Sequence, residues 1–185
     1  MIEQIPAKGK LLIAEPFLGD PNFERSVVLL CEHTETGSFG FVLNQTTVLT
    51  LKDVIEDEIY ADLPLHIGGP VEHNTLHFIH RMGPIIEDTI PVADNLYWGG
   101  DFEQVKSLLN MGKITMDDIR FFVGYSGWGE KQLENELKQN AWIITDAESS
   151  FIFQTPADQF WRNILRRMDG KYKSFANYPT DPRLN

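Results

Sequence analysis

Short apolar runs separated by turn-forming residues dominate the chain and predict a sheet-rich fold. The runs are rich in valine, isoleucine, leucine and phenylalanine and are bounded by glycine, proline, asparagine or aspartate, which is the pattern of β-strands. The strands predicted in this way lie within residues 10–14, 26–33, 39–44, 65–67, 75–80, 90–98, 121–123, 141–145 and 150–153. The turn formers at residues 34–37 predict that the second and third strands form a hairpin.

Apolar stripes with helical spacing predict three helices beside these strands. Residues 50–58 begin with a capping-box pattern and predict a short acidic helix. Asp101 is placed to cap a second helix, which Gly112 is placed to end. A third helix runs from Thr155 to Met168, with proline in its first turn and one apolar side. We expect the apolar side of the third helix to pack against the sheet.

The segment at residues 121–137 carries the most distinctive pattern in the chain. Residues 121–123 are wholly apolar and predict a buried central strand. The three glycines within residues 124–129 predict a turn in which the chain reverses after Val123. A helix is then expected to begin near Glu130, and Trp128 is expected to anchor the turn against the core.

Four interpretations of this turn are open. An anion cradle at the helix N-terminus is disfavoured because Glu130 already occupies the first turn and Gln132 replaces the third glycine of the dinucleotide pattern. Ser126 resembles an elbow nucleophile, but Trp128 stands where that motif needs glycine. Tyr125 and Trp128 are alternatively a platform for a ligand. The simplest alternative is that Trp128 caps the core and the glycines only shape the turn.

Composition limits the classes of function. The formal net charge of −11 disfavours binding to nucleic acid or to an anionic membrane, because such affinity rests largely on lysine and arginine. The single cysteine excludes an intramolecular disulfide. No apolar run has the roughly 18 residues needed to span a bilayer, and no signal-peptide pattern is present. We therefore expect a cytoplasmic protein.

Cysteine and histidine residues offer two further hypotheses. Cys31 and His33 are expected to face the same side of a strand, with Glu32 on the other side, so a thiol nucleophile is conceivable there. Buried cysteine is more often a small apolar side chain. His73 and His77 have the spacing of helical metal ligands, but their surroundings predict a strand. No metal and no cofactor is predicted.

Four segments combine into a pattern that spans nearly the whole chain. They are residues 9–16 (GKLLIAEP) with Asp20 and Phe23, residues 31–33 (CEH) with 40–44 (GFVLN), residues 68–71 (GGPV) with His80, and residues 124–128 (GYSGW) with 132–134 (QLE) and Trp142. This pattern resembles the AlgH/YqgE family of bacterial proteins, with Lys131 where many relatives have glycine.

The resemblance implies a fold more than an activity. It implies an α+β domain with a mostly antiparallel sheet curved into a partial barrel and helices packed outside. We expect residues 1–170 to form this single domain and residues 171–185 to form an irregular tail. The family carries a historical label of transcriptional regulator in alginate control, and no catalytic residues are implied by the resemblance.

The sequence thus predicts a non-catalytic protein that binds a protein or small-molecule partner. The predicted surface includes Tyr125, Ser126 and Trp128, with Glu32 and His33 as neighbours. The alternative is a hydrolase that uses Ser126 or His33. Direct DNA binding follows only from the family label, and the net charge opposes it.

Overall fold

One curled, mostly antiparallel sheet organises the fold in the computed structural model, which describes residues 5–180. Within those residues ten strands form the sheet. They are β1 (Lys10–Ala14), β2 (Val27–Thr34), β3 (Gly37–Val42), β4 (Thr46–Thr50), β5 (Pro64–Ile67), β6 (Val71–His80), β7 (Ile90–Ala93), β8 (Leu96–Trp98), β9 (Ile119–Gly129) and β10 (Trp142–Asp146). The predicted hairpin is present, with Thr34 opposite Gly37.

The strand order explains how the sheet closes into a half-barrel. The main path is β10-β1-β2-β3-β9-β6-β8-β7, and β5 connects β4 to β9. Among the strands of residues 5–180, only β5 and β9 run parallel, while the remaining pairs are antiparallel. Helices pack on this sheet in a single α+β domain, which confirms the predicted fold class.

The described residues include six α-helices, several of which begin where the sequence predicts. They are α1 (Leu51–Val54), α2 (Phe102–Asn110), α3 (Gln132–Lys138), α4 (Ser149–Gln154), α5 (Ala157–Arg167) and α6 (Lys171–Phe175). The Asp101 carboxylate accepts a hydrogen bond from the backbone N–H of Gln104 at 3.1 Å and so caps α2. The capping box is present before α1, but that helix ends at Val54 and is shorter than predicted.

Strand β9 runs through the segment that was predicted to be a turn. Residues 121–123 pair with β5 and β6, whereas residues 126–129 pair with β3. Gly124 has a φ of +70° and bends the strand where it changes partners. The predicted chain reversal after Val123 is therefore wrong. The chain leaves the sheet after Gly129, and Lys131, with a φ of 58°, precedes α3.

Two predictions near the C-terminus also need correction. Residues 150–153 were predicted as a strand but lie in α4. A short apolar run fits either structure, and here Phe151 packs on Phe160 of α5 with ring centroids 5.0 Å apart. The tail predicted as irregular contains α6, and Phe175 contacts Tyr178 at 5.4 Å. The last five residues of that predicted tail lie outside the described residues.

The core is divided among three clusters of buried side chains. The largest lies between the sheet and α4–α5, where Phe160 and Trp161 are buried. Burial of each large side chain there contributes roughly 1.5–3 kcal/mol. A second cluster joins α1 and α2 to the sheet, and a third joins Trp128, Leu133 and Trp142 beneath α3. Within residues 5–180 no helix is long and apolar enough to cross a membrane.

Candidate functional site

Strand β9 divides the candidate residues between the two faces of the sheet. Side chains alternate along a strand, so Tyr125 lies on one face while Ser126 and Trp128 lie on the other. Tyr125 packs at the edge of the largest core cluster, and Trp128 lies in the cluster beneath α3. These three residues therefore do not form one surface, as the predicted turn would have required.

Ser126 has a structural position within the sheet. Its side chain is fully buried, and its hydroxyl donates a hydrogen bond to the Gly68 carbonyl oxygen at 3.0 Å. A Cβ added at Gly69 would lie 2.3 Å from the Ser126 hydroxyl oxygen. This packing leaves no space for a substrate at Ser126, so the geometry does not suit a nucleophile.

Tyr125 and three neighbouring partly buried rings form what we call the aromatic face. Its members are Phe39, His77, Trp98 and Tyr125. Phe39 contacts Trp98 and Tyr125 with ring centroids 4.9 and 5.1 Å apart. His77 lies 6.0 Å from Tyr125. The rings come from β3, β6, β8 and β9, so only the strand order brings them together.

Carboxylates border the aromatic face. Glu32 is exposed and lies directly opposite Phe39 in the β2–β3 register, which places it on the same side of the sheet. Asp88 lines a cavity of about 480 Å³ beside His77. Burial lowers the pKa of His77, and the charge of Glu72 opposes that shift. The face therefore combines neutral rings with an acidic rim near pH 7.

His33 lies on the opposite side, with Ser38 and Glu134. Its Nδ1 is 2.7 Å from the Ser38 hydroxyl, and its Nε2 is 3.8 Å from the Glu134 carboxylate. Ser38 pairs with Trp128 across the β3–β9 ladder. The structure thus places Glu32 with Tyr125 and places His33 with Trp128, on separate faces.

Trp128 anchors α3 to the sheet. Its indole donates to the Glu136 carboxylate at 2.9 Å, and the Trp142 indole donates to the same oxygen at 2.7 Å. The other carboxylate oxygen accepts from the Gln132 side chain at 3.0 Å. Only 5% of Trp128 is exposed, so its principal role is packing.

Cys31 and His80 have internal positions. Cys31 is buried, and burial raises the pKa of its thiol far above the ordinary value, so it remains protonated. His80 is buried within hydrogen-bonding distance of Thr89 and the Gly99 carbonyl oxygen. In the part of the chain that the structure describes, no three histidine, cysteine, aspartate or glutamate side chains form a group able to hold a metal.

Comparisons of sequence agree on one set of relatives. A family model described as AlgH-like matches residues 11–173. A UPF0301 protein of Cytophaga hutchinsonii is 51% identical over 179 residues, which cover 96% of this chain and 98% of that protein. A UPF0301 protein of Chlorobium limicola is 43% identical over 177 residues, which cover 96% and 95%.

Comparisons of structure give the same fold. The solution structure of the AlgH protein from Pseudomonas aeruginosa has a TM-score of 0.74 and 27% identity, covering 97% of this chain and 98% of that one. A crystal structure of a Corynebacterium diphtheriae protein has a TM-score of 0.79 and 24% identity, covering 96% and 95%.

Proposed function

The chain belongs to the AlgH-like family, and from this premise we propose that it is a non-catalytic binding protein whose aromatic face receives a basic segment of a partner protein. The observation that carries the proposal is the aromatic face itself. Four rings from four strands form a connected cluster and remain partly exposed at the edge of the largest core cluster. Aromatic side chains in such positions are typical anchors of protein interfaces.

The acidic rim supports a cationic ligand. Lysine and arginine side chains bind the faces of aromatic rings, and Glu32, Glu72 and Asp88 are near enough to the face to attract them. The formal net charge of −11 would also steer a basic segment toward the protein. Each exposed cation–π contact is worth about 0.5–1 kcal/mol, so several contacts would be needed for tight binding.

Any regulatory role would then act through the partner protein. The net charge of −11 opposes direct contact with DNA phosphates, so binding to a partner protein fits the charge better than binding to DNA. A cytoplasmic location is part of the same proposal, since the one cysteine, Cys31, is free and buried and needs no oxidising compartment.

A peptide titration tests the proposal directly. A blocked peptide of alternating arginine and leucine should shift the Trp98 indole N–H signal in NMR spectra, and its glutamine counterpart should bind at least tenfold more weakly. Tyr125→Ala should weaken binding about tenfold, because it removes one ring of the face. Tyr60→Ala removes a tyrosine that is 69% exposed elsewhere and serves as the matched control. Equal binding of both peptides, or an unaffected Tyr125→Ala variant with its fold intact, would refute the proposal.

A second candidate function rests on the arrangement of Ser38, His33 and Glu134. A serine hydroxyl beside a histidine ring, with a carboxylate on the other side of the ring, is the arrangement that activates a nucleophile. A fluorophosphonate probe should then label the wild type and the Ser126→Ala variant but not Ser38→Ala. If the wild type is not labelled under conditions that label a known serine hydrolase, this candidate is excluded and the binding proposal is unaffected.

A further inference from the structure

A second cavity, of about 320 Å³, lies away from the aromatic face and contains an arginine and a histidine. It opens between the start of β9, strand β5 and the segment that leads into α5. Its walls are largely apolar and include Leu63, Ile119, Phe121, Phe153 and Pro156. This volume is within the range of small-ligand sites.

Arg120 supplies a positive charge that no carboxylate neutralises in the described part of the chain. Its Nη1 donates to the Leu43 carbonyl oxygen at 3.2 Å, and its guanidinium forms no ion pair among residues 5–180. Burial lowers the pKa of Arg120 to about 10, so the group stays charged near pH 7. In a chain with 27 aspartate and glutamate residues, an unpaired and partly buried arginine has most of its five donors left for a ligand.

His66 supplies a second polar group in the same cavity. Only 7% of this residue is exposed, and its Nδ1 is buried without a hydrogen-bond partner. Burial and the nearby Arg120 charge lower the pKa of His66 to about 4, although the Phe121 backbone opposes the shift. The ring is thus neutral near pH 7 and can offer one N–H donor.

We propose that this cavity binds a small organic carboxylate, held by the Arg120 guanidinium and contacted by the His66 ring, with its apolar body against the cavity walls. A guanidinium fork matches the two oxygens of a carboxylate. The Arg120 charge offsets that of a monoanion, whereas a phosphate dianion would add a further negative charge beside Asp117 at the cavity wall. Phe121 and Phe153 favour a ligand with an apolar or aromatic body.

Matched pairs of small molecules test the inference. Phenylacetate and hexanoate are titrated into the full chain, each beside its neutral amide, and phenyl phosphate is titrated in parallel. The His66 ring signals and backbone amide signals of residues 119–121 are followed by NMR. At least one carboxylate should shift these signals and bind at least tenfold more tightly than its amide and than phenyl phosphate.

Substitutions at Arg120 and His66 test whether the carboxylate binds in this cavity. Arg120→Gln should lower carboxylate affinity at least tenfold, and Arg120→Lys should lower it less, because the charge remains while the fork is lost. Arg167→Gln is the matched control, since that surface arginine pairs with Glu148 beside a different cavity. Each variant is first checked by thermal unfolding. If Arg120→Gln does not fold, His66→Asn takes its place with the same expected loss.

Several outcomes would overturn the inference. These are equal binding of carboxylate and amide, tighter binding of phenyl phosphate, and retained affinity in folded Arg120→Gln or His66→Asn. The absence of any shift at His66 with both carboxylates at 10 mM would also overturn it. None of these results depends on the aromatic face, so the two proposals are tested separately.

Discussion

At the scale of single residues, Glu136 shows how one carboxylate organises a helix and two strands. It accepts hydrogen bonds from the indoles of Trp128 and Trp142 and from the Gln132 side chain. Both tryptophans are at least 95% buried, so their N–H groups have little access to bulk water. Glu136 thus satisfies donors on β9 and β10 and holds α3 against both strands.

Removal of this carboxylate should destabilise the protein substantially. In Glu136→Ala two buried indole donors lose their acceptor, and each unsatisfied group costs about 1–3 kcal/mol. We expect the free energy of unfolding to fall by about 2–4 kcal/mol in urea titrations. Glu136→Gln, which retains an acceptor oxygen, should lose less.

The exposed Glu130 provides the control for this change. Its ion pair with Lys131 involves two side chains that are largely exposed, so Glu130→Ala should change stability by less than about 0.5 kcal/mol. Similar losses in Glu130→Ala and Glu136→Ala would contradict the role assigned to Glu136.

Residue patterns predicted some of these roles but not their partners. The anchoring of Trp128 was expected, since a large aromatic side chain beside glycines needs a buried position. Its acceptor Glu136 was not, because the i,i+8 separation crosses the boundary between strand and helix. His66 and Arg120 had no local signal either, since they are distant in the sequence and meet only through the parallel pairing of β5 and β9.

At the scale of elements, Gly124 keeps β9 continuous while the strand changes partners. A Cβ at this position would lie 2.8 Å from the Gly69 carbonyl oxygen and 2.9 Å from that of Val71. The φ of +70° is also unfavourable for other residues. The glycine therefore permits a local bend and a close approach of backbones within an unbroken strand.

Two alanine substitutions in the same strand should separate these effects. Gly124→Ala combines a strained φ with a backbone clash and should lower the free energy of unfolding by about 2–4 kcal/mol. In Gly127→Ala the added Cβ would lie 3.5 Å from the Tyr125 ring and 4.0 Å from the Ser38 carbonyl oxygen, and the φ of this residue is not positive, so stability should change by less than about 1 kcal/mol. Comparable losses in urea titrations of the two variants would show that β9 is not bent as described.

Element predictions were reliable where periodicity and caps agreed and failed where one short pattern fitted two structures. The strand at residues 10–14 and the start of α2 were predicted correctly, and the strand predicted at residues 141–145 is observed at residues 142–146. Glycines in β9 suggested a turn because a bulge and a turn use the same residue. The apolar run at residues 150–153 fits a strand or a helix, and contacts with α5 decide between them.

At the scale of the whole molecule, the sheet order creates both proposed sites. The aromatic face collects rings from β3, β6, β8 and β9, which are well separated along the chain, and the second cavity joins β5, β9 and the segment that leads into α5. The family resemblance correctly predicted the fold, while neither site was predicted in full. Tyr125 and Glu32 were among the expected residues, but their neighbours depended on tertiary pairing.

Buried histidines should make the whole fold sensitive to mild acid. The unfolded chain binds a proton on each histidine near pH 6.5, whereas the folded-state pKa is lowered for His66, His77 and His80. The stability from neutral His66 is fully present above pH 6.5 and is lost as pH falls toward about 4. For His66 alone this loss is about 2 kcal/mol at pH 5.

Urea titrations at pH 7.5 and pH 5 measure this effect. The free energy of unfolding should be lower at pH 5, and the difference between the two values should shrink by about 2 kcal/mol in His66→Asn. The comparison uses each protein as its own reference, so a general loss of stability in the variant does not affect it. An unchanged difference would show that His66 is already protonated in the folded protein at pH 5.

The position of β9 also has a consequence for biosynthesis. Its neighbours β3, β5 and β6 all precede it on the chain, so they leave the ribosome before the strand that joins them. A nascent chain that ends before residue 119 lacks the central strand of the sheet and exposes apolar strand edges. Acquisition of the native sheet must therefore wait until translation has passed this strand, and until then the unpaired edges are open to aggregation.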